Sequence, residues 1–389
     1  MKTPSTTGGP FQELAQPSPA EQNRRGYGHT LREILQQPDT WEATAEALAP
    51  RVPELHAVVE ATTGPILLTG SGSSLYVGTC LALGLQRTFG RVVQAQAAGD
   101  ILVHAEHTLA PDGLIVSFAR SGDSPESAAA VDLVLERRPA WRHIVITCNA
   151  DGRLATRYRG DRRVTTVVLD ARTNDSSLVM TSSFTNLLLA GRALAVTAEP
   201  YREGATHTAS VARRVLASDA PALAHLAEGE LDSAVFLGTG PRYGAAREAA
   251  LKLLEMTAGR VKTTAETCLG LRHGPISWID ARTLVVAFVS NDERARAYEL
   301  DVLRELDAKG LGGPRVLVGE AVPRALLRAG DVLVDTAAGV RTHDDDLVAV
   351  DVLVGQLLAF FRSRHLGLRP DAPSPDGVIQ RVVPEFPIH

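Results

Sequence analysis

Three residues in the second half of the chain have the types and spacing needed for proton transfer. Glu248, Lys252 and Glu255 lie in a run rich in Ala and Leu, and their spacing puts all three on one face of a helix. A carboxylate there can act as a base while the ammonium steadies developing negative charge; the plainer reading is a surface face of ion pairs. Further on, Leu271-Arg272-His273-Gly274-Pro275 places a histidine in a loop just before a helix start, where a lone histidine is more often inert. Together they supply a base, a cation and a histidine, the set that opens a sugar ring and moves a proton between adjacent carbons.

The first half carries hydroxyls on turns. Thr69-Gly70-Ser71-Gly72-Ser73-Ser74 lies between an expected strand and an expected helix, where backbone N–H groups and the helix dipole favour an anion, and Ser73 and Ser74 add donors. This is not a dinucleotide fingerprint, because the third glycine is missing and no acid follows at the required distance; nor is it a Walker A loop, which needs Gly-Lys-Ser/Thr. A second turn holds Ser121 and Ser124: Gly122 permits it, Pro125 suits a first helical position, and Ser124 is placed to cap that helix. Two such turns at the carboxyl ends of neighbouring strands would hold one phosphate with neutral donors. A third polar stretch opens a later helix, and its Ser182, Ser183 and Thr185 are candidates for a lid over the same ligand. Ordinary tight turns and helix caps are the alternative for all three. His104-Ala105-Glu106-His107 and His343-Asp344-Asp345-Asp346 fall short of the three or four convergent ligands a metal needs. They predict a solvated strand-to-loop face and an acidic helix start, and no metal site.

The elements that must position these groups form one pattern used twice. Short apolar strands at 66–69, 92–97, 114–118, 143–147 and 165–169 alternate with helices at 74–89, 125–137 and 181–198. After a lead helix at 205–227, strands at 234–238, 261–264, 283–289, 315–318 and 332–335 alternate with helices at 243–258, 293–309 and 346–365. Such alternation predicts α/β domains with parallel sheets covered on both faces. The match between halves, at a separation of about 170 residues, predicts an internal duplication. Residues 1–26 read as a flexible leader, 27–200 as the first domain with N-terminal helices, 201–365 as the second domain, and 366–389 as a tail.

Composition narrows the function classes. The 389 residues, 44% hydrophobic and 22% charged, suit two globular domains and exclude a disordered, collagenous or coiled-coil chain. A net charge of -5 argues against a nucleic-acid partner, which needs a basic face. Cys80, Cys148 and Cys268 are scattered and odd in number, predicting buried free thiols. No apolar run approaches the roughly 18 residues of a membrane span and no signal-like segment opens the chain, so a cytoplasmic protein without membrane contact is expected.

The motifs also carry a resemblance. A duplicated domain with Gly72-Ser73-Ser74, Ser121-Gly122-Asp123-Ser124, and Glu248-x-x-x-Lys252-x-x-Glu255 ahead of Arg272-His273-Gly274-Pro275 resembles the sugar isomerase (SIS) domain proteins. The runs 118–127 and 174–185, with Asp371-Ala372-Pro373-Ser374-Pro375 and Arg381-Val382-Val383 near the end, look like the galactosamine-6-phosphate deaminase branch, often labelled tagatose-6-phosphate ketose/aldose isomerase. The resemblance implies two tandem SIS domains, each a flavodoxin-like parallel sheet sandwiched by helices, and a homodimer with its active site at a subunit interface. By analogy with glucosamine-6-phosphate synthase, Ser73, Ser74, Ser121 and Ser124 match sugar-phosphate-binding positions. Glu255 matches the base that shuttles a proton between C1 and C2, Glu248 and Lys252 match its supports, and His273 matches the ring-opening histidine, which there comes from the neighbouring subunit.

Two departures matter: the tail lacks the lysine the synthase uses near its C-terminus, and Lys2 stands where the synthase's glutaminase has its nucleophilic cysteine. Without glutaminase the resemblance implies the reverse chemistry, galactosamine 6-phosphate to tagatose 6-phosphate and ammonia, with no cofactor. The alternatives are a glucosamine-6-phosphate deaminase, a plain ketose/aldose isomerase acting on a non-amino sugar phosphate, and a non-catalytic sugar-phosphate-binding regulator. Retention of Glu255, Lys252 and His273 together speaks against the regulator, which needs no base.

Overall fold

The computed structural model describes residues 9–389 apart from 338, 340, 341, 375 and 385. Its strands form two parallel five-stranded sheets. The first is built from β1 (Ile66–Gly70), β2 (Val93–Ala97), β3 (Leu114–Ala119), β4 (Arg142–Thr147) and β5 (Val164–Val168), in the order β2-β1-β3-β4-β5. The second holds β6 (Ser233–Gly238), β7 (Lys262–Thr267), β8 (Thr283–Phe288), β9 (Arg315–Gly319) and β10 (Val332–Asp335), in the order β10-β9-β8-β6-β7. Read from its other edge, the second order is the first with every number raised by five, so the duplication is one of topology. Burial follows sheet position: every residue of β1, β3, β8 and β9 is buried, whereas the edge strands β2, β5 and β7 are partly exposed. Central parallel strands face helices on both sides and so carry near-continuous apolar runs.

Contacts divide the chain into two compact units that are not consecutive halves. One, carrying β6–β10, comprises Met1–Leu35, Ser176–Val179 and His207–Asp376; the other, carrying β1–β5, comprises Gln36–Asp175, Met180–Thr206 and Gly377–His389. The helix Gly28–Leu35 therefore goes with the second sheet rather than the first. Asp371 holds its start, accepting from His29 N at 3.2 Å, Thr30 N at 2.7 Å and Thr30 Oγ1 at 2.8 Å. The expected flexible leader also differs in its described part. It contains the short helices Pro10–Ala15 and Pro19–Arg24, each with proline in its first turn, and Phe11 is buried against Phe361 with ring centroids 5.7 Å apart. Helices this short carry too little periodicity to read from sequence.

Two more helices were not legible in the pattern, Val52–Glu60 and Ala98–Thr108. The second corrects the expected strand-to-loop face: His104 and His107 are exposed on a helix that kinks at His104. The acids at 344–346 do open the helix Asp344–His365, with His343 as its N-cap. The three cysteines are buried and free. Among the described residues no helix is long and apolar enough to cross a membrane.

One core residue links the fold to pH. His143 on β4 is fully buried, and neither ring nitrogen has a hydrogen-bond partner among the described residues. Burial, helped by the charge of Arg163, holds its pKa down to about 4. Between pH 6.5 and 4 the unfolded chain then binds a proton that the folded chain refuses, so stability is full above that window and falls as pH drops through it, by up to about 3 kcal/mol. Urea unfolding at pH 7 and pH 4.5 checks this: wild type should lose more stability than His143→Leu, and equal losses would refute the assignment.

Candidate active site

The proton-transfer candidates sit on the helix Pro241–Met256, which starts from a turn at the carboxyl end of β6. Gly240 takes φ 58° and ψ -128° there, a backbone state that needs glycine. The helix lies tightly against Asp344–His365, because a Cβ on Gly355 would fall 2.4 Å from the Cβ of Ala249. Glu248 and Lys252 on this helix are buried, 0% and 1% exposed. Lys252 Nζ lies 3.4 Å from Glu248 Oε1 and donates a short hydrogen bond to Glu255. The reading as a surface ion-pair face is thus corrected: an interior ammonium is held between two carboxylates. Only Glu255 emerges, with its side chain 25% exposed, so it alone of the three can meet a ligand while the others fix it.

His273 is exposed after the short helix Cys268–Leu271, and its N–H donates to Gly270 O at 3.0 Å. Among the described residues no ion pair or side-chain hydrogen bond joins it to the triad. Its neighbour Arg272 is paired with Glu305 at 2.6 Å.

The hydroxyl turns lie in the unit carrying β1–β5. Gly72 caps the helix Ser73–Phe89 with φ 56° and ψ -127°, the same state as Gly240. Ser73 and Ser74 are buried, and Ser74 Oγ lies 3.9 Å from Met180 Sδ. Ser121 Oγ accepts from Asp123 N at 3.3 Å, and the Ser121 carbonyl accepts from Asn149 Nδ2 at 2.9 Å. Ser124 is the N-cap of Pro125–Arg137, yet its side chain makes no cap hydrogen bond, contrary to the capping role its position suggested. Sequence reasoning missed Thr69 and Ser117. They are register partners near the carboxyl ends of β1 and β3, buried, with hydroxyls that have no hydrogen-bond partner among the described residues. An unmatched buried hydroxyl costs on the order of 1–3 kcal/mol, so this end of the sheet is suited to a polar ligand. The signal was available: one hydroxyl residue in the latter half of each of two otherwise apolar strands.

The lid reading of Ser182, Ser183 and Thr185 is corrected. All three are fully buried. Asp175 accepts from Thr181 N at 2.7 Å, Ser183 N at 2.8 Å, and the Oγ atoms of Ser182 and Ser183 at 2.5 Å. Thr185 Oγ1 donates to Gln37 Oε1 at 2.7 Å and accepts from Trp41 Nε1 at 2.9 Å. A buried carboxylate gathers the available donors, so these hydroxyls anchor the helix Ser182–Arg192 instead of facing a ligand.

The matching end of the second sheet is filled from within. Asp344 accepts from Ser290 Oγ and from Asn291 N at 2.8 Å, and Glu299 accepts from Ser290 N at 2.7 Å. Arg242 Nε lies 3.0 Å from Asp351 Oδ2 and 3.9 Å from Asp344 Oδ1. Burial pushes Asp351 up to about 7 against the pull of Arg242, and it raises Glu299 as well. An external anion would meet carboxylates here, so the phosphate candidates stand on the first sheet.

A SIS domain model matches residues 62–197, the stretch that contains both hydroxyl turns. Similarity to AgaS proteins runs much further. The AgaS protein of Streptomyces coelicolor is 36% identical over 93% of this chain and 95% of its own length. The D-galactosamine-6-phosphate deaminase AgaS of Escherichia coli O157:H7 is 32% identical over 92% of this chain and 95% of its own. The chain belongs to the AgaS family of SIS-domain proteins. Among solved structures, the tagatose-6-phosphate ketose/aldose isomerase from Escherichia coli superposes with a TM-score of 0.81 at 30% identity, covering 90% of this chain and 96% of that one.

The buried triad of this AgaS-family chain predicts a stability signature. Lys252→Met takes the ammonium away from the buried Glu248 carboxylate and should cost about 3–5 kcal/mol in urea unfolding, while Glu248→Gln combined with Lys252→Met should recover part of it. A loss below about 1 kcal/mol for Lys252→Met would count against an interior ion pair.

Proposed function

We propose that the protein is an amino sugar phosphate deaminase/isomerase that converts galactosamine 6-phosphate and water to tagatose 6-phosphate and ammonia. The observation that carries this is Glu255, the partly exposed end of a buried Glu248–Lys252–Glu255 triad, in a chain whose full-length relatives include D-galactosamine-6-phosphate deaminases. A carboxylate on a rigid helix, oriented by an interior cation, suits a base that must return the same proton to a neighbouring atom.

In this reading Ser73, Ser74, Ser121 and Ser124 hold the phosphate, with Thr69 and Ser117 beneath them. His273 assists ring opening, which exposes the C1 aldehyde. Glu255 takes the C2 proton as the C1 oxygen gains one, leaving an enolamine, and returns it to C1 as the nitrogen gives up a proton; the product is a ketimine at C2 with a hydroxyl at C1. Water adds to that carbon and the C–N bond breaks, releasing ammonia and leaving the ketose. Lys252 acts through Glu255, keeping its carboxylate in place by their short ion pair. The reading includes a cytoplasmic homodimer in which His273 serves the neighbouring subunit's site; the exposure of His273 supports that arrangement.

A plain aldose/ketose isomerase is the second reading, favoured by the similarity to the Escherichia coli tagatose-6-phosphate isomerase structure. Ammonia release separates the two. A coupled ammonia assay offering galactosamine 6-phosphate and glucosamine 6-phosphate in turn should show release from the galacto sugar, and Glu255→Gln should lower turnover by at least about a hundredfold while binding persists. Sugar isomerisation without ammonia would select the second reading, and near wild-type turnover in Glu255→Gln would remove Glu255 as the base.

A further inference from the structure

The C-terminal segment 377–389 packs with the unit carrying β1–β5, yet it is exposed along its described length except at Arg381 and Val382. Arg381 makes three hydrogen bonds within this unit. Its Nε donates to Asp175 O at 2.7 Å and its Nη2 to Asn174 Oδ1 at 2.6 Å, while its own carbonyl accepts from the Arg120 guanidinium. Holding an otherwise solvated segment in one conformation opposes chain entropy, and charge-assisted hydrogen bonds from a guanidinium fork are the strong kind that can offset it.

The partners of Arg381 lie where the ligand candidates are. Arg120 directly precedes Ser121 and is 8% exposed, and its carbonyl receives Thr147 Oγ1 at 3.5 Å. Asp175 is the carboxylate that gathers Thr181, Ser182 and Ser183. Arg381 therefore ties two pieces of chain together at this end of the first sheet: the turn 120–124, through its carbonyl, and the loop 174–175, through its guanidinium. A segment whose Arg381 guanidinium bonds to the loop 174–175 while its carbonyl receives Arg120 has a reason to be there beyond covering apolar surface.

We propose that Arg381 is a positioning residue for the sugar phosphate, holding the Ser121–Ser124 turn in its binding geometry through Arg120. The proposal rests on the sugar-phosphate reading above. It concerns affinity and not proton transfer, because Arg381 touches neither the triad nor His273 in any described hydrogen bond.

The test compares full-length wild type with Arg381→Ala, Arg381→Lys, Asn174→Ala and Phe386→Ala, the last altering an exposed residue of the same segment. KM and kcat for ammonia release are measured beside the calorimetric Kd for galactosamine 6-phosphate and the melting temperature. Arg381→Ala should raise KM and Kd at least about tenfold, equivalent to roughly 1.4 kcal/mol, with kcat nearly unchanged. Arg381→Lys keeps the charge without the planar fork and should recover only part of the affinity. Asn174→Ala should shift KM in the same direction by a smaller factor, and Phe386→Ala should match wild type. Unchanged KM and Kd in Arg381→Ala, with or without a lower melting temperature, overturns the proposal, as does a loss confined to kcat. If wild type binds the sugar phosphate without releasing ammonia, the reaction assignment fails and the Kd comparison alone decides for or against Arg381. If wild type does not bind it, both fail.

Discussion

An ammonium in the interior of a protein must be answered by carboxylates within a few ångströms, and the helix Pro241–Met256 is arranged around that requirement. Removing an ion from water costs several kcal/mol even after the surroundings relax, so Lys252 at 1% exposure cannot stand apart from Glu248 and Glu255. The same helix approaches Asp344–His365 closely where Gly355 meets Ala249. Because Glu255 lies nearly one turn beyond Lys252, it reaches the surface while its partner stays inside. The chemical asymmetry of the three residues, one usable and two supporting, follows from depth along a single helix.

The same constraint separates the two sheets. Four residues past the glycine that ends β6 stands Arg242; four residues past the glycine that ends β1 stands Ser74. A fully buried arginine calls in Asp351, with Asp344 and Glu299 nearby, and these carboxylates take up the donors of the Ser290–Asn291 turn. A serine makes no such demand. The first sheet thus keeps neutral donors at Ser73, Ser74 and Ser121 and unmatched hydroxyls at Thr69 and Ser117. Two copies of one topology, with the same glycine conformation at Gly72 and Gly240, end with different polar groups at the carboxyl ends of their strands.

Buried carboxylates also organise the loops. Asp371 caps the helix Gly28–Leu35 across more than three hundred residues of chain. Glu33 accepts from Ser176 N at 2.6 Å and Ser177 N at 3.2 Å. Asp175 collects the hydroxyls that sequence alone made candidates for a lid. Each is an acceptor placed where backbone N–H groups need partners.

What the sequence determined by itself is local and periodic: the strands, the glycine turns at the carboxyl ends of β1 and β6, the duplication, and the single helical face shared by Glu248, Lys252 and Glu255. These follow from backbone sterics and from side-chain spacing along one element, so they are written in runs of a few residues. The short helices Pro10–Ala15 and Ala98–Thr108 were not legible, because six to eleven residues give a weak period. Tertiary structure alone decided which residues of the triad are buried, that Ser182, Ser183 and Thr185 turn inward to Asp175 and Gln37, that Thr69 and Ser117 keep unmatched hydroxyls, and that Arg381 reaches Arg120. Each of these depends on a neighbour brought close by the fold from elsewhere in the chain, and desolvation, which sets the strength of every charge and hydroxyl in the site, exists only once that neighbour has excluded water.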